Sequence, residues 1–290
     1  MYLPLILVSI LVNYFVSNLL IDYQTSRNIL PSKRAILYIG LAFNIGILAY
    51  FKYADFFINN ANYLFTNSYE LLNLALPLAI SFFTLQQIAY LIDTYEGLVR
   101  ERNLLDYSLF VTFFPQLIAG PIVHHREMMP QFYDLKNKVF SRNNVRKGLF
   151  IFNIGLFKKV VIADTLSIWA INGFDTSTTL SFFEAWGSSL AYTFQLYFDF
   201  SGYTDMAIGA ALLFNIKLPA NFNSPYKATG IIDFWQRWHI TLTSFITIYI
   251  YTPIIRSFSK ANFNKAMLAT VITFLIAGLW HGASWMFVIF

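Results

Sequence analysis

The chain contains no cysteine, which excludes disulfides, thiolate nucleophiles and cysteine-bound metals. Histidine is scarce too. His124, His125, His239 and His281 are all there are, too few for the imidazole-rich centre of a membrane di-iron hydroxylase. Charged residues make up only 12% of the chain, against about 25% in a soluble domain. The net charge of +5 forms no basic stripe of the kind a duplex requires, so nucleic acid is excluded as a partner. No metal motif, phosphate loop or dinucleotide fingerprint is present. Neither a metal nor a tightly bound cofactor is expected.

Apolar residues fill the chain instead. Of its 290 residues 57% are hydrophobic, with 31 Phe and 18 Tyr, and the mean hydropathy is +0.54. This composition belongs to a polytopic protein of the lipid bilayer, an all-α bundle of transmembrane helices. Stretches near 3–21, 35–52, 71–92, 148–171, 185–214 and 266–290 each approach the roughly 20 residues that a span needs. The first, "LPLILVSILVNYFVSNLLI", is too long for a signal-peptide core. It also lacks a basic leader and a cleavage site, so it reads as a retained span. Arg27, Lys33 and Arg34 follow the first span, and Arg100 and Arg102 follow the third. The stretches 53–70 and 172–184 have no Lys or Arg. The basic loops therefore read as cytoplasmic and the others as external loops.

Segments 108–123 and 234–255 are flanked on both sides by basic residues, among them Arg126 and Lys136 after the first and Arg256 and Lys260 after the second. Pro115, Gly120 and Pro121 disfavour a continuous helix in the first. Both read as re-entrant. Broken backbone at membrane depth must be buried in protein or line a wet cavity, so a chamber reached from the cytoplasm is expected. There is no internal repeat, linker or low-complexity tract, and residues 1–290 read as one membrane domain.

Four constellations could carry chemistry. In "AGLWHGASWMF", Gly278, His281, Gly282 and Trp285 fall at i, i+3, i+4 and i+7, one face of a continued helix, with Trp280 beside them. Two readings stay open here. The imidazole is either a functional intramembrane group or part of a packing face on which Gly278 and Gly282 admit a neighbour. In "DFWQRWHITLT", Trp235 and His239 share a helical face, while Arg237 projects elsewhere, within reach of Thr241. An interfacial aromatic belt accounts for the tryptophans and Arg237, but less well for His239. In "QLYFDFSGYTDMAIG", Asp199 and Asp205 lie in an apolar helix, and Ser201 is one turn from Asp205. Ion pairing with Lys158 and Lys159 is preferred over a proton or ion path. His124 and His125 in "HHREMMPQF" would point about 100° apart on a helix, which suits solvent or headgroup contact better than one shared metal.

Taken together, "FFPQLIAGPIVHHREMMPQF", "LYFDFSGYTDMAIGAALLF", "NFNSPY", "FWQRWHITLTSFI" and "AGLWHGASWMF" resemble the membrane-bound O-acyltransferase (MBOAT) family. The likeness is greatest to its bacterial alginate and peptidoglycan O-acetyltransferase branch, and it runs from about residue 3 to the last residue. It implies acyl transfer from a cytoplasmic thioester donor, acetyl-CoA, to hydroxyls of an extracytoplasmic polysaccharide. A partner acetyltransferase protein would finish the delivery. The implied location is the bacterial inner (cytoplasmic) membrane. His281 matches the family's catalytic position, where histidine can act as general base, and His239 its second characteristic position. Trp280, Trp285, Trp235, Arg237, Asp199 and Asp205 are the expected substrate-binding residues. Family members usually extend beyond both ends of this chain, so it reads as incomplete at the C-terminus and open at the N-terminus. The competing readings are D-alanyl transfer to teichoic acid, a transporter using intramembrane Asp and Lys, and a catalytically inert scaffold.

Overall fold

A computed structural model describes residues 3–25, 32–260 and 262–289. Arg27 lies outside them. The helices in chain order are α1 (Leu3–Thr25), α2 (Lys33–Phe65), α3 (Ile80–Glu96), α4 (Leu104–Thr112), α5 (Phe114–Leu117), α6 (His125–Tyr133) and α7 (Arg142–Leu156). They continue as α8 (Asp164–Ile171), α9 (Phe182–Leu213), α10 (Ile231–Arg237), α11 (Ile240–Ile246), α12 (Thr252–Ser257), α13 (Phe263–His281) and α14 (Trp285–Val288). There is no strand among the described residues, in accord with the all-α expectation. The chain divides into two compact units.

The first unit takes the chain up to Thr112, His124–Arg126 and the residues from Leu242 on. Within it α1, α2 and α13 are long and apolar enough to cross a membrane. α1 differs from a soluble helix: it exposes large apolar residues and buries polar ones beside its buried Ile10, Val16 and Leu20. Leu7, Val8, Leu11 and Phe15 are exposed, whereas Ser9, Asn13 and Ser17 are buried. Such an inside-out face suits lipid, where small and polar residues hold helices together and apolar ones face the tails. Most of the buried polar groups named here are paired across helices. The Asn13 and Asn44 amides exchange hydrogen bonds at 3.1 and 2.6 Å. Gln87 Nε2 donates to Ser9 Oγ at 2.9 Å, and the Tyr107 hydroxyl donates to Gln87 Oε1 at 3.0 Å.

Two boundaries differ from the sequence reading. No loop opens at residue 53, because α2 continues to Phe65. At 1.5 Å per residue its length is about 50 Å, more than a bilayer's apolar core of about 30 Å. The lack of Lys and Arg after residue 52 suggested an external loop, but this stretch is helical, and its Asp55 accepts the Leu72 and Asn73 amides at 2.7 and 3.0 Å, fastening the segment that follows α2. In turn, residues 71–79 are not helical. Asn73 and Ala79 adopt left-handed backbone angles and Pro77 lies between them, so α3 starts only at Ile80.

In the second unit α7 and α9 pack through two glycine pairs. A Cβ on Gly148 would stand 2.7 Å from the Gly209 carbonyl, and one on Gly155 would stand 2.5 Å from that of Gly202. Only a residue without a side chain lets the two backbones approach this closely. Just beyond Gly155 the helix widens to a π-turn over Phe157–Ala163, which carries Lys158 and Lys159 opposite α9. Lys158 Nζ meets Asp205 Oδ2 at 2.6 Å, and Lys159 pairs with Asp199 and, at 2.8 Å, with Asp164. The expected ion pairing is observed. It satisfies carboxylates that an apolar helix could not hold alone.

Both segments read as re-entrant are broken. The first is interrupted at Phe113 and loses helical form after Leu117, with Pro115 at the start of α5. The second breaks at Trp238 and His239, between α10 and α11.

Candidate acyl-transfer residues

His281 is the last residue of α13. At Gly282 the chain turns extended (φ −164°, ψ 157°), and Ser284 then caps α14 by accepting the Met286 amide at 3.3 Å. Gly278, His281, Gly282 and Trp285 therefore do not form one helical face, contrary to the sequence expectation. The space beside Gly282 is not open for substrate either. Its missing Cβ would lie 2.2 Å from the Phe287 ring, which folds back over it. The helix ends here because the extended Gly282 cannot continue the turn, and the Phe287 ring occupies the volume.

Around that end, the His281 ring lies edge-on to the Trp280 indole, centroids 4.9 Å apart, and the histidine is accessible rather than buried. Trp280 also walls a cavity of about 420 Å³ with an almost wholly apolar lining, shared with Leu85, Ile92, Phe245, Tyr249 and Ala277. Trp285 donates its indole N–H to Asn60 Oδ1 at 2.8 Å and packs on Phe56. Two residues of α2, Lys52 and Tyr53, donate to the Trp280 and Leu279 carbonyls respectively. Neither figured among the expected site residues. A signal did exist, since Lys52 is the sole Lys or Arg between Arg34 and Arg100, and an ionisable residue in an apolar stretch is a functional candidate by default.

His239 belongs to the second unit. Trp235 and His239 do not share a helical face, because α10 ends at Arg237 and His239 takes a left-handed backbone (φ 44°). That conformation costs a non-glycine residue on the order of 1 kcal/mol and persists only when its surroundings impose it. Asn221, from "NFNSPY", imposes it. Its carbonyl accepts the Ile240 amide at 2.9 Å, and its Oδ1 accepts both the amide and the hydroxyl of Thr241, at 3.2 and 2.9 Å. Thr241 Oγ1 in turn accepts the Ile122 amide at 2.9 Å, so one threonine ties the two broken segments together. The Asn221 Nδ2 is buried without a partner among the described residues. His239 is 4% exposed, its ring edge-on to Phe200 at 4.7 Å.

The remaining expected residues are placed as follows. Arg237 does not reach Thr241; its Nε binds Asp233 at 2.6 Å, one turn back, which fixes the guanidinium on α10. Trp235 packs on Phe234. Asp199 and Asp205 are held by the two lysines. The adjacent histidines depart from the sequence reading. Both are buried, not solvated. The Tyr249 hydroxyl donates to Asp93 Oδ1 at 2.8 Å and lies 3.0 Å from His124 Nδ1. His125 packs between Tyr90 and Phe110 at 5.1 and 5.2 Å, where burial pushes its imidazole down to about 4. Among the described residues, no three His, Asp or Glu side chains converge as metal ligands.

Comparison with known proteins bears on the whole arrangement. Residues 96–290 match the MBOAT, membrane-bound O-acyltransferase family. The chain is 53% identical to a peptidoglycan O-acetyltransferase of Helicobacter pylori, over 99% of this chain and 58% of that one. It is 38% identical to a probable alginate O-acetylase AlgI of Azotobacter vinelandii, over 87% of this chain and 50% of the relative. A teichoic acid D-alanyltransferase of Bacillus subtilis is 28% identical over 75% of this chain and 57% of its own length. The chain thus spans between half and three fifths of these relatives. With lipid-facing helices, two broken segments and a histidine at the end of an apolar helix, it belongs to the membrane-bound O-acyltransferase family.

Proposed function

We propose that this chain carries out O-acetyl transfer at the bacterial cytoplasmic membrane. The acetyl group comes from acetyl-CoA on the cytoplasmic side, and the acceptor is a hydroxyl of an extracytoplasmic polysaccharide, with a partner protein completing delivery. The observation that carries this reading is the accessible His281 at the end of α13, its ring against Trp280 at the edge of an apolar cavity. An alcohol attacking a thioester must lose a proton as the carbon–oxygen bond forms. Neutral imidazole of His281 takes that proton, the carbon–sulfur bond breaks, and the proton passes to the departing thiolate. An apolar surround strengthens any dipole aimed at the reacting carbonyl. His239, in its imposed turn in the second unit, is the second expected catalytic residue. Trp280 and Trp285 in the first unit, and Trp235 and Arg237 in the second, are the expected substrate-contact residues.

Among acceptors, peptidoglycan is favoured, on the 53% identity to the Helicobacter pylori enzyme. The D-alanyl reading stands second, on the lower identity to the Bacillus subtilis protein. Membranes carrying this chain, supplied with labelled acetyl-CoA and isolated glycan, test the choice. Base-labile label on peptidoglycan is the expected result. Label on alginate alone would move the acceptor, and label on neither polymer would remove acetyl transfer from consideration.

A further inference from the structure

A helix end is not self-supporting, because its last four carbonyls find no partner within the helix. In α13 two of these carbonyls, of Leu279 and Trp280, immediately precede His281. Consecutive residues of α2 take both: the Tyr53 hydroxyl donates to the Leu279 carbonyl, and the Lys52 ammonium donates to the Trp280 carbonyl. Lys52 Nζ also lies 3.5 Å from Ser81 Oγ and 5.7 Å from the centre of the Trp280 indole. That indole N–H donates back to the Ser81 carbonyl at 3.4 Å. The result is a closed set of contacts around the residue that precedes the histidine.

Holding a cation inside so apolar a stretch costs solvation. A helix C-terminus offsets that cost, since its unpaired carbonyls carry partial negative charge. Beyond His281 the chain leaves the helix at Gly282, and the Lys52 and Tyr53 contacts hold the turn on the N-terminal side of the histidine. We propose that Lys52 is a positioning residue for His281, holding the last turn of α13 so that the imidazole presents to the reacting atoms, with Tyr53 as its neutral companion. The proposal rests on the reading of His281 as general base. It assigns Lys52 no contact with substrate.

The test uses Lys52→Met, Lys52→Arg and Tyr53→Phe in membranes carrying the whole chain, with two readouts. In labelled acetyl transfer, Lys52→Met should lower kcat roughly tenfold to a hundredfold, the scale of a misplaced catalytic group. Its KM for acetyl-CoA should stay within about twofold, since no substrate contact is lost. Lys52→Arg should recover most of the rate, and Tyr53→Phe should cost less than Lys52→Met. Hydrogen exchange of the 279–284 amides, read also in a His281→Ala background, should quicken in Lys52→Met and not in Lys52→Arg. An unchanged kcat, or a higher KM with kcat preserved, overturns the proposal. So does exchange that stays at the unsubstituted rate in Lys52→Met. If the unsubstituted chain transfers no label, the acetyl-transfer reading fails instead, and the exchange measurement still decides whether Lys52 holds the turn.

Discussion

The four histidines of this chain sit in four different surroundings, and these separate their roles. His124 is tied to Tyr249 beside the buried Asp93. His239 is locked in a left-handed turn clamped by Asn221. His125 is enclosed by aromatic rings, its Nε2 without a partner among the described residues. His281 alone caps an apolar helix and remains accessible. The state of His125 has a consequence for stability. Burial depresses its folded-state value to about 4 from an ordinary 6.5. Between those values the unfolded chain binds a proton that the folded chain does not, so stability falls as pH drops through that window and is fully kept above it. The loss should be on the order of 3 kcal/mol at most. Unfolding in detergent at pH 7 and pH 4 should show it, and His125→Phe should flatten that part of the slope. At the other break, Asn221→Ala removes an acceptor used by both groups of Thr241. It should cost about 1–3 kcal/mol, visible as a lower unfolding temperature.

Among the elements, α1, α2 and α13 are legible as spans because their apolar runs are long enough to cross a membrane, whereas 71–92, 148–171 and 185–214 form no such helix among the described residues. The pairing of Asp199 and Asp205 with Lys158 and Lys159 was legible too, since carboxylates in an apolar helix require partners. Helix ends were harder. A periodic face continues on paper through Gly282 and through Trp238, and only backbone angles reveal that the chain leaves the helix there. Likewise 53–70, with no Lys or Arg, reads as an external loop, although Asp55 and Asn60 on α2 each serve a partner brought up by the tertiary fold. The contact of α7 with α9 is weakly marked in the sequence, its signal being only a glycine seven residues from another on each helix. Gly155→Ala tests that contact. Its Cβ would press on the Gly202 carbonyl and the Met206 amide, forcing the helices apart at a cost of about 1–3 kcal/mol. Gly187→Ala, where an added Cβ meets nothing within 4 Å, is the neutral control. Equal melting temperatures for the two variants would contradict close packing.

For the whole molecule, a membrane protein of the O-acyltransferase family is established by the family match and by its relatives, and the exposed apolar face of α1 accords with it. A transporter using the Lys158–Asp205 pair makes a contrary demand that substitution can separate. Lys158→Met alone strands a carboxylate in an apolar helix and should destabilise the fold by about 3 kcal/mol. Adding Asp205→Leu should restore both stability and acetyl transfer if the pair is structural. A stable double variant without activity would favour an ion path. The central claim, that His281 removes the acceptor's proton, is met most directly by label transfer from acetyl-CoA in membranes containing the chain or its His281→Ala form. At equal amounts of inserted, folded protein, the account predicts transfer by the first and at least a hundredfold less by the second, in line with loss of general-base catalysis. Comparable transfer by both would contradict it.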